Sequence, residues 1–260
     1  MKVTISMAPI IVNRLAKFFG VFIKAFGYIF HFFFKKKRFT IPEYSKPFFK
    51  GKELLIPKVI WQTNYTNKVT LPVYVNYLFN RLMSLDWEYR YVSTEDRLEF
   101  IKANATKQMS DAFEQLTDGA AQADFWRVFV LNHHGGVYMD IDAHAVWPLS
   151  KIIQPNDKEV FLMTKHRYSN YFMASAKNNP YLQKTLEIIV DNIEQKLIDK
   201  GVYGLTGPTV LNKAIGDDPV NQRHNRITCI QGSFTNEYFQ YMDKPRGKWI
   251  YADTNKLLKN

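Results

Sequence analysis

Apolar positions along the chain follow two periods, one typical of strands and one typical of helices. Short β-type runs are predicted at Lys58–Trp61, Glu88–Val92 and Val137–Ile141. Helical patterns are predicted at Pro72–Ser84, Thr94–Ala103, Asp118–Asn132, Pro180–Lys196 and Thr206–Ile215. Because strands alternate with helices, we expect an α/β domain around a largely parallel sheet. Ser93 is a plausible N-cap, and the Gly135-Gly136 pair is expected to turn the third helix back into a strand.

The first 39 residues have a different pattern. Phe18–Phe34 is rich in phenylalanine, but Lys24 and His31 interrupt it. On a helix, Lys17, Lys24, His31 and Arg38 recur every seven residues and form one narrow polar stripe beside a wide apolar surface. This pattern is typical of a helix that lies in a membrane interface. We therefore predict a basic amphipathic membrane-associating helix at 1–39, a proline-containing linker at 40–57 and a single α/β domain at 58–260.

The net charge of +11 supports this division. Residues 1–58 carry 12 Lys/Arg and only 2 Asp/Glu, whereas the rest of the chain carries 23 and 22. A nucleic-acid-binding domain would carry its own basic face, so we expect no nucleic-acid partner. The positive charge instead predicts contact between the N-terminal segment and an anionic membrane surface.

Other interpretations of the N-terminal segment stay open. A signal peptide would need an uninterrupted apolar stretch and a small-residue cleavage site, and neither is evident. A tilted spanning anchor and a helix docked on the protein's own core are the remaining alternatives. The only cysteine, Cys229, excludes an internal disulfide and is expected to be a buried core residue.

The segment with the clearest chemistry is QADFWRVFVLNHHGGVYMDIDAHA, residues 122–145. Asp140 and Asp142 follow a predicted strand, and residues two apart on a strand point to the same side. Ligands of α/β sheets bind beyond the carboxyl ends of strands, and paired carboxylates suit Mg²⁺ or Mn²⁺. Asp124 and Arg127, three apart on the preceding helix, share one face. They form either part of the same site or an ordinary surface ion pair.

Four blocks of this sequence resemble glycosyltransferase family 32: IPKVIWQT at 56–63, ADFWR at 123–127, GGVYMDID at 135–142 and TGP at 206–208. The core is also similar to the glucosylating domain of the large clostridial toxins. The resemblance covers roughly residues 56–208. It implies a GT-A-like, Rossmann-like fold and a retaining sugar transfer from a nucleotide-sugar donor, usually with Mn²⁺ or Mg²⁺.

The same resemblance implies roles for single residues. Asp142 is the direct metal ligand, Asp140 lies near the ribose and the metal, and Asp124 and Arg127 hold hydroxyls of the donor sugar. The residues implied in donor binding are Trp61, which would stack on the nucleobase, Tyr138, Asn170 and Trp249. The family's C-terminal Ser-x-Trp element is incomplete, because Gly247-Lys248 precedes Trp249.

The function expected from these observations is a metal-dependent hexosyltransferase. Its donor is a nucleotide sugar, with a UDP-sugar favoured, and its acceptor is a glycan or a lipid-linked glycan. The basic helix places it peripherally at the cytoplasmic face of the inner membrane, in bacterial capsule or lipopolysaccharide synthesis. The alternatives are a nucleotide-sugar hydrolase and a toxin-like glycosyltransferase that modifies a protein.

Overall fold

The computed structural model describes residues 7–259. The helices are α1 Met7–Phe33, α2 Leu71–Leu82, α3 Thr94–Asn104, α4 Lys107–Gln115, α5 Gly119–His134, α6 Leu149–Ile152, α7 Pro180–Glu194, α8 Gly201–Leu205, α9 Pro208–Ile215 and α10 Glu237–Gln240. The strands are β1 Phe39–Thr40, β2 Tyr44–Ser45, β3 Val59–Thr63, β4 Lys68–Val69, β5 Glu88–Val92, β6 Gly136–Met139, β7 Ala143–Ala145, β8 Glu159–Thr164, β9 Arg167–Ser175, β10 Gln222–His224 and β11 Cys229–Gln231.

The central sheet has seven strands in the order β10-β8-β9-β6-β3-β5-β2. Its middle, β6-β3-β5, is parallel, but β9 pairs antiparallel with both β6 and β8, and β2 pairs antiparallel with β5. The predicted α/β class with an N-terminal helix is confirmed, whereas the prediction of a largely parallel sheet is wrong. The reason is that β8 and β9 form a hairpin, which enters the sheet antiparallel beside β6.

Local sequence signals explain the elements that carry the site. Ser93 caps α3 in a capping box with Asp96. The Asp118 carboxylate caps α5 by accepting hydrogen bonds from the amides of Ala120 and Ala121. After α5, Gly135 and Gly136 both have positive φ, 72° and 110°. A Cβ on Gly136 would lie 2.6 Å from the Val59 carbonyl oxygen, so only glycine lets β6 approach β3 here.

Hydrophobic packing covers both faces of the sheet. Along β6, Tyr138 belongs to the cluster that contains α5 and α7, whereas Val137 and Met139 belong to the cluster that contains Trp87 and Tyr89. This alternation is the period of two expected of a strand that is buried on both faces. It fixes the register of β6 and therefore the position of the acidic residues that follow it.

Residues 40–57, predicted as a linker, lie against the domain. β1 pairs with β4, and β2 forms the edge of the central sheet next to β5. Ile41 and Ile56 are completely buried in the core. The three prolines that suggested a linker fit this arrangement, because proline is tolerated at sheet edges and between short strands.

Helix α1 contacts the domain through its polar stripe. The Lys24 ammonium donates to the Gly232 carbonyl, the His31 Nε2 atom accepts from the Leu71 amide, and the Arg38 guanidinium pairs with Asp243 just beyond the helix. Gly20 lies so close to the Ser233 carbonyl that any larger residue would clash. These three members of the stripe therefore contact the protein, which is the arrangement of a docked helix, whereas Lys17 is exposed.

The opposite surface of α1 is apolar and exposed. We call it the α1 apolar face, and its members, each at least 49% exposed, are Ile11, Leu15, Phe18, Phe19, Phe22, Phe26, Ile29 and Phe33. By length and composition α1 could also cross a membrane. Docking of the polar stripe leaves this large apolar surface without a partner among the described residues 7–259.

Candidate active site

A cavity of about 520 Å³ opens beyond the carboxyl ends of β3, β5 and β6. Its lining includes Asp124, Arg127, Tyr138, Asp140 and Asn170, all of which the sequence predicted as site residues. Parallel strands in α/β sheets present ligands at this edge. With Trp249 at its rim, the cavity brings together six of the eight predicted residues.

Asp124 and Arg127 form a buried ion pair at the floor of the cavity, and each is at most 7% exposed. The Arg127 Nη2 atom lies 3.2 Å from Asp124 Oδ1, and its Nη1 atom lies 3.1 Å from Asp140 Oδ1. The Arg127 guanidinium also donates to the Asn170 carbonyl, and the Asn170 amide donates to Asp124 at 2.9 Å. The interpretation of Asp124 and Arg127 as an ordinary surface pair is therefore wrong.

Tyr138 connects this floor to the acidic turn. Its hydroxyl donates to Asp140 Oδ1 at 2.8 Å, and the Arg127 guanidinium lies 4.5 Å from the centre of its ring. Asp140 Oδ1 thus accepts from both an arginine and a tyrosine, which fixes the carboxylate and leaves Oδ2 turned toward Gln231. Charge-assisted hydrogen bonds of this kind hold a side chain in one orientation.

Asp140 and Asp142 converge on one point. The Gln231 Nε2 atom donates to Asp140 Oδ2 at 3.0 Å and to Asp142 Oδ1 at 3.2 Å. Gln231 ends β11, which pairs with β7 directly after the acidic turn. Sequence reasoning missed Gln231, because 89 residues separate it from Asp142 and no motif surrounds it.

Burial and charge shift the pKa values of these groups. Burial raises the pKa of Asp124 to about 6, although Arg127 opposes the shift. Burial, followed by the nearby Asp140 charge, raises the pKa of Asp142 to about 7. For Arg127, burial lowers the pKa, but Asp140, Tyr138 and Asp124 outweigh it, so the net pKa is raised. The floor therefore holds a permanent positive charge between carboxylates that are costly to ionise together.

The donor set suits a hard divalent cation. The carboxylates of Asp140 and Asp142 both accept a hydrogen bond from the Gln231 Nε2 atom, so both can also reach a single ion at that point. The repulsion between the two carboxylates favours a bound cation. Within residues 7–259, no cluster of three His, Cys, Asp or Glu side chains could hold a metal. The remaining ligands of an ion at Asp140 and Asp142 would therefore have to come from a bound diphosphate, water or neutral oxygens.

Trp61 does not line the cavity, which contradicts its predicted position on the nucleobase. It is only 7% exposed, and its indole Nε1 donates to the Gly135 carbonyl at 3.0 Å. The ring stacks on His134 and packs edge-on against Trp126. The physical reason is its position on β3: Thr63, two residues further along the same face, reaches the cavity instead.

Trp249 lies at the rim of the cavity, 42% exposed, with its ring 5.6 Å from that of Tyr203. The sequence also missed Arg97, a buried residue of the lining, and Thr206, whose hydroxyl donates to Asp124 Oδ2 at 3.3 Å. Thr206 belongs to the TGP block, which could have indicated it. No sequence signal indicated Arg97, because it occupies an ordinary position within α3 and belongs to no motif.

Comparison with known proteins bears on this site. Residues 72–159 match the family model described as "Glycosyltransferase sugar-binding region containing DXD motif". The chain is 30% identical over 166 residues to mannosyl phosphorylinositol ceramide synthase SUR1 of Saccharomyces cerevisiae, a match that covers 62% of this chain and 42% of that protein. It thus spans less than half the length of this relative.

Two further similarities involve toxins. The chain is 32% identical over 104 residues to a toxin of Photorhabdus asymbiotica, which covers 37% of this chain and 3% of that protein. The solved structure of the PaToxG glycosyltransferase aligns over 79% of this chain and 78% of its own, with 18% identity and a TM-score of 0.47.

The family match contains the four charged residues at the centre of the site, Asp124, Arg127, Asp140 and Asp142. The comparisons confirm the resemblance to the DXD-containing glycosyltransferases of family 32, and the match to the family model is confined to residues 72–159 of this chain.

Proposed function

We propose that this protein is a retaining hexosyltransferase that uses a nucleotide-sugar donor, with a UDP-sugar favoured, and a glycan or lipid-linked glycan as acceptor. The observation that carries the proposal is a set of four charged residues: Asp124, Arg127 and Asp140 line one cavity, and Asp142 shares the Gln231 hydrogen-bond donor with Asp140. Its members come from one helix and one turn, and they are already hydrogen-bonded in fixed positions. Preorganised charge of this kind is the main contribution that a protein makes to such reactions.

Asp124 is the group proposed to bind the donor sugar. Its Oδ1 atom accepts from Asn170 and Arg127, whereas within residues 7–259 its Oδ2 atom accepts only the long hydrogen bond from Thr206. A carboxylate can accept about four hydrogen bonds, so Oδ2 keeps acceptor capacity for a sugar hydroxyl. Arg127 holds this carboxylate ionised and pointed at the cavity.

Asp140 and Asp142 would hold Mn²⁺ or Mg²⁺, and a bound ion would supply positive charge where the donor's diphosphate leaves. In the transfer, the bond between the anomeric carbon and the phosphate oxygen breaks, and a bond from the acceptor hydroxyl forms on the same face. The acceptor proton passes to the departing phosphate. No separate protein base is needed, and the role of Asp124 and Arg127 is to hold the sugar in position.

The acceptor is proposed to be carried by a lipid in a membrane that the α1 apolar face enters. The name of the yeast relative describes a mannosylated inositol ceramide, which is a membrane lipid. The α1 apolar face and the basic run Lys35–Arg38 at its end offer apolar area and positive charge to an anionic bilayer. The proposed setting is capsule or lipopolysaccharide synthesis at the cytoplasmic face of the inner membrane.

The activity is tested by a screen of nucleotide sugars for nucleotide release, with Mn²⁺, with Mg²⁺ and with a chelator. One donor is expected to be consumed in the presence of metal, and faster when lipid-linked acceptors are added. The product's anomeric configuration reports retention. If no donor is turned over under any of these conditions, the proposed function is wrong.

Membrane association is tested by co-sedimentation with lipid vesicles. Replacing Phe18, Phe22 and Phe26 with serine should reduce binding to both neutral and anionic vesicles, because it removes buried apolar area. Replacing Lys35, Lys36 and Lys37 with glutamine should reduce binding to anionic vesicles only, by about 1 kcal/mol per charge. The control replaces Phe48 and Phe49, which are exposed outside α1. Equal binding by the α1 variants and the wild type would contradict the membrane contact.

The similarity to toxins supports a second candidate, a transferase that modifies a protein. It would use the same donor site with a protein acceptor. Incubation of the radiolabelled donor with vesicles in one reaction and with a cell lysate in another separates the two candidates by where the label appears. Release of free sugar at the same rate in both reactions would indicate a nucleotide-sugar hydrolase.

A further inference from the structure

Arg97 is a buried charge without a charged partner. It is 2% exposed, and it lines the cavity from the first turns of α3. Its Nη1 atom donates to the Gly119 carbonyl at 3.3 Å, and its Nη2 atom donates to the Thr94 hydroxyl at 3.0 Å. The buried Nε atom has no hydrogen-bond partner, and no carboxylate within the described part of the chain forms an ion pair with this guanidinium.

This state is costly, because a buried cation is normally paired. Burial lowers the pKa of Arg97 to about 10, which leaves it charged at neutral pH. Asp140 and Asp142 are among the charges that raise the pKa of Arg127, but they are not among the main charges that act on the pKa of Arg97. This side chain has donors only, it lines the cavity, and it is still short of acceptors, so a ligand that supplies an oxygen acceptor would complete it.

The sheet topology locates Arg97 relative to the acidic turn. Asp140 follows β6, Thr63 ends β3, and Thr94 follows β5, and these three parallel strands are neighbours that end at one edge. Adjacent strands lie about 4.8 Å apart, so the end of β5 lies about 10 Å from the end of β6. A nucleotide whose diphosphate lies at Asp140 can therefore extend its nucleoside across β3 to Arg97.

The chemistry of the nucleobases then decides which of them Arg97 can bind. Uracil and guanine carry keto oxygens at the positions where cytosine and adenine carry amino groups, which are donors. An arginine offers donors only, so it can pair with a keto oxygen and meets an amino group with donor against donor. Because Arg97 is buried, the difference in binding free energy between a keto base and an amino base should be large: a buried donor left without an acceptor costs more free energy than the hydrogen bond itself contributes.

We propose that Arg97 recognises the keto oxygen that stands where cytosine and adenine carry an amino group, O4 of uracil or O6 of guanine, so that the cavity selects uridine or guanosine diphosphates over cytidine and adenosine diphosphates. The proposal rests on the proposed function, since it assumes that the cavity binds a nucleotide sugar. Arg97 is thereby a specificity-determining residue that is distinct from the four charged residues of the transfer site. It acts on binding of the nucleoside and leaves the diphosphate contacts unchanged.

The experiment is calorimetric titration of the full chain with five ligands in saturating Mn²⁺: pyrophosphate, UDP, GDP, CDP and ADP. The wild type is expected to bind UDP or GDP at least tenfold more tightly than CDP and ADP. Arg97→Met keeps the length of the side chain and should bind that keto nucleotide at least tenfold more weakly. It should bind pyrophosphate as the wild type does. The control is Arg90→Met, which removes the same charge from an exposed position outside the cavity lining.

A second variant separates recognition from a structural role. Arg97→Gln offers both a donor and an acceptor, so it should bind CDP or ADP more tightly than Arg97→Met does. Its preference for keto bases over amino bases should therefore be smaller than that of the wild type. An unchanged base preference in both variants would overturn the proposal, and so would an equal loss of pyrophosphate binding, which would place Arg97 on the diphosphate. If the wild type binds neither pyrophosphate nor any nucleotide, the proposed function itself fails and this inference fails with it.

Discussion

The two ends of the cavity each hold a buried arginine, but the protein treats the two charges differently. At the floor, Arg127 lies between Asp124 and Asp140 and over the ring of Tyr138. At the β5 end, Arg97 has a backbone carbonyl and a threonine hydroxyl as its only hydrogen-bond partners in residues 7–259. The hydrogen bonds and ion pairs of Arg127 are formed without a ligand, whereas the Nε atom of Arg97 lacks a hydrogen-bond acceptor.

This difference indicates what each end does. A completed network keeps carboxylates fixed and ionised, which is what positioning of a sugar and a cation requires. An incomplete donor gains its missing acceptor only when a ligand arrives, which is what selection between ligands requires. The floor is therefore expected to govern chemistry and stability, and the β5 end to govern which nucleotide binds.

The largest expected effect is on transfer, at the acidic turn. Asp142→Asn should abolish detectable transfer and Asp140→Asn should reduce it severely, on the order of a thousandfold or more, because an amide cannot replace the charge that holds the cation. Steady-state turnover of the cognate donor with Mn²⁺ measures this loss. Asp191→Asn, on the exposed face of α7, is the matched control and should be unchanged. Near-normal, chelator-insensitive turnover by Asp142→Asn would remove the basis for the site.

The next effect separates the two arginines by stability. Arg127→Met leaves Asp124 and Asp140 buried without their cation, and we expect a loss of about 3–5 kcal/mol in the free energy of unfolding. Arg97→Met removes a charge that has no ionic partner, so its stability should change by less than about 1 kcal/mol or increase. Urea unfolding of both variants without ligand gives the two values. Equal losses would mean that Arg97 has a structural partner equivalent to a carboxylate.

The sequence predicted the floor because its residues are close along the chain. Asp124 and Arg127 lie on one helix, and Asp140 and Asp142 lie in the turn that follows the next strand, so the helical period and the glycine turn bring them together. Tyr138, on that strand, was implied by the family resemblance. Gln231 and Arg97 join the cavity through β11 and β5, and such pairings depend on tertiary contacts that no local pattern encodes.

The N-terminal helix illustrates the same limit. Lys17, Lys24 and His31 of the predicted stripe lie on α1, whereas Arg38 lies beyond its end at Phe33, and the sequence did not predict which way this face of the helix points. Polar side chains can satisfy either a membrane surface or backbone carbonyls of the protein, and periodicity does not distinguish between these partners. Contacts such as that between Lys24 and the Gly232 carbonyl decide the question only when the fold is known.

A smaller effect concerns pH and the repulsion between the two carboxylates of the acidic turn. The folded-state pKa of Asp142, about 7, lies above its ordinary value, so the folded state holds a proton that the unfolded state releases. Stability of the metal-free protein should therefore fall as pH rises from about 4 to 7. Asp142→Asn removes this loss and should be more stable than the wild type at pH 8, by on the order of 1–3 kcal/mol.

Urea unfolding in chelator at pH 8 and pH 5 checks this expectation, with the advantage of Asp142→Asn shrinking at the lower pH. Addition of Mn²⁺ and donor nucleotide should reverse the order, because only the wild type gains stability from binding. An advantage of equal size at both pH values would show that the substitution acts through packing and not through ionisation.

The smallest expected effect sharpens the comparison from the position between the two ends. Trp61 lies on β3, below Thr63, and its indole is occupied by the Gly135 carbonyl and by the rings of His134 and Trp126. If it stacked on the nucleobase, its removal would cost about 1–3 kcal/mol of nucleotide binding, at least tenfold in affinity at the upper part of that range. Since the ring does not reach the cavity, Trp61→Leu should change nucleotide affinity by about twofold or less.

The same variant should lose stability, because a buried hydrogen bond and aromatic packing disappear. Calorimetric titration at a temperature where the variant stays folded measures the affinity, and thermal unfolding measures the stability. A tenfold weaker affinity with unchanged melting would restore Trp61 to the nucleobase and would require β3 to rotate its side chain into the cavity on binding.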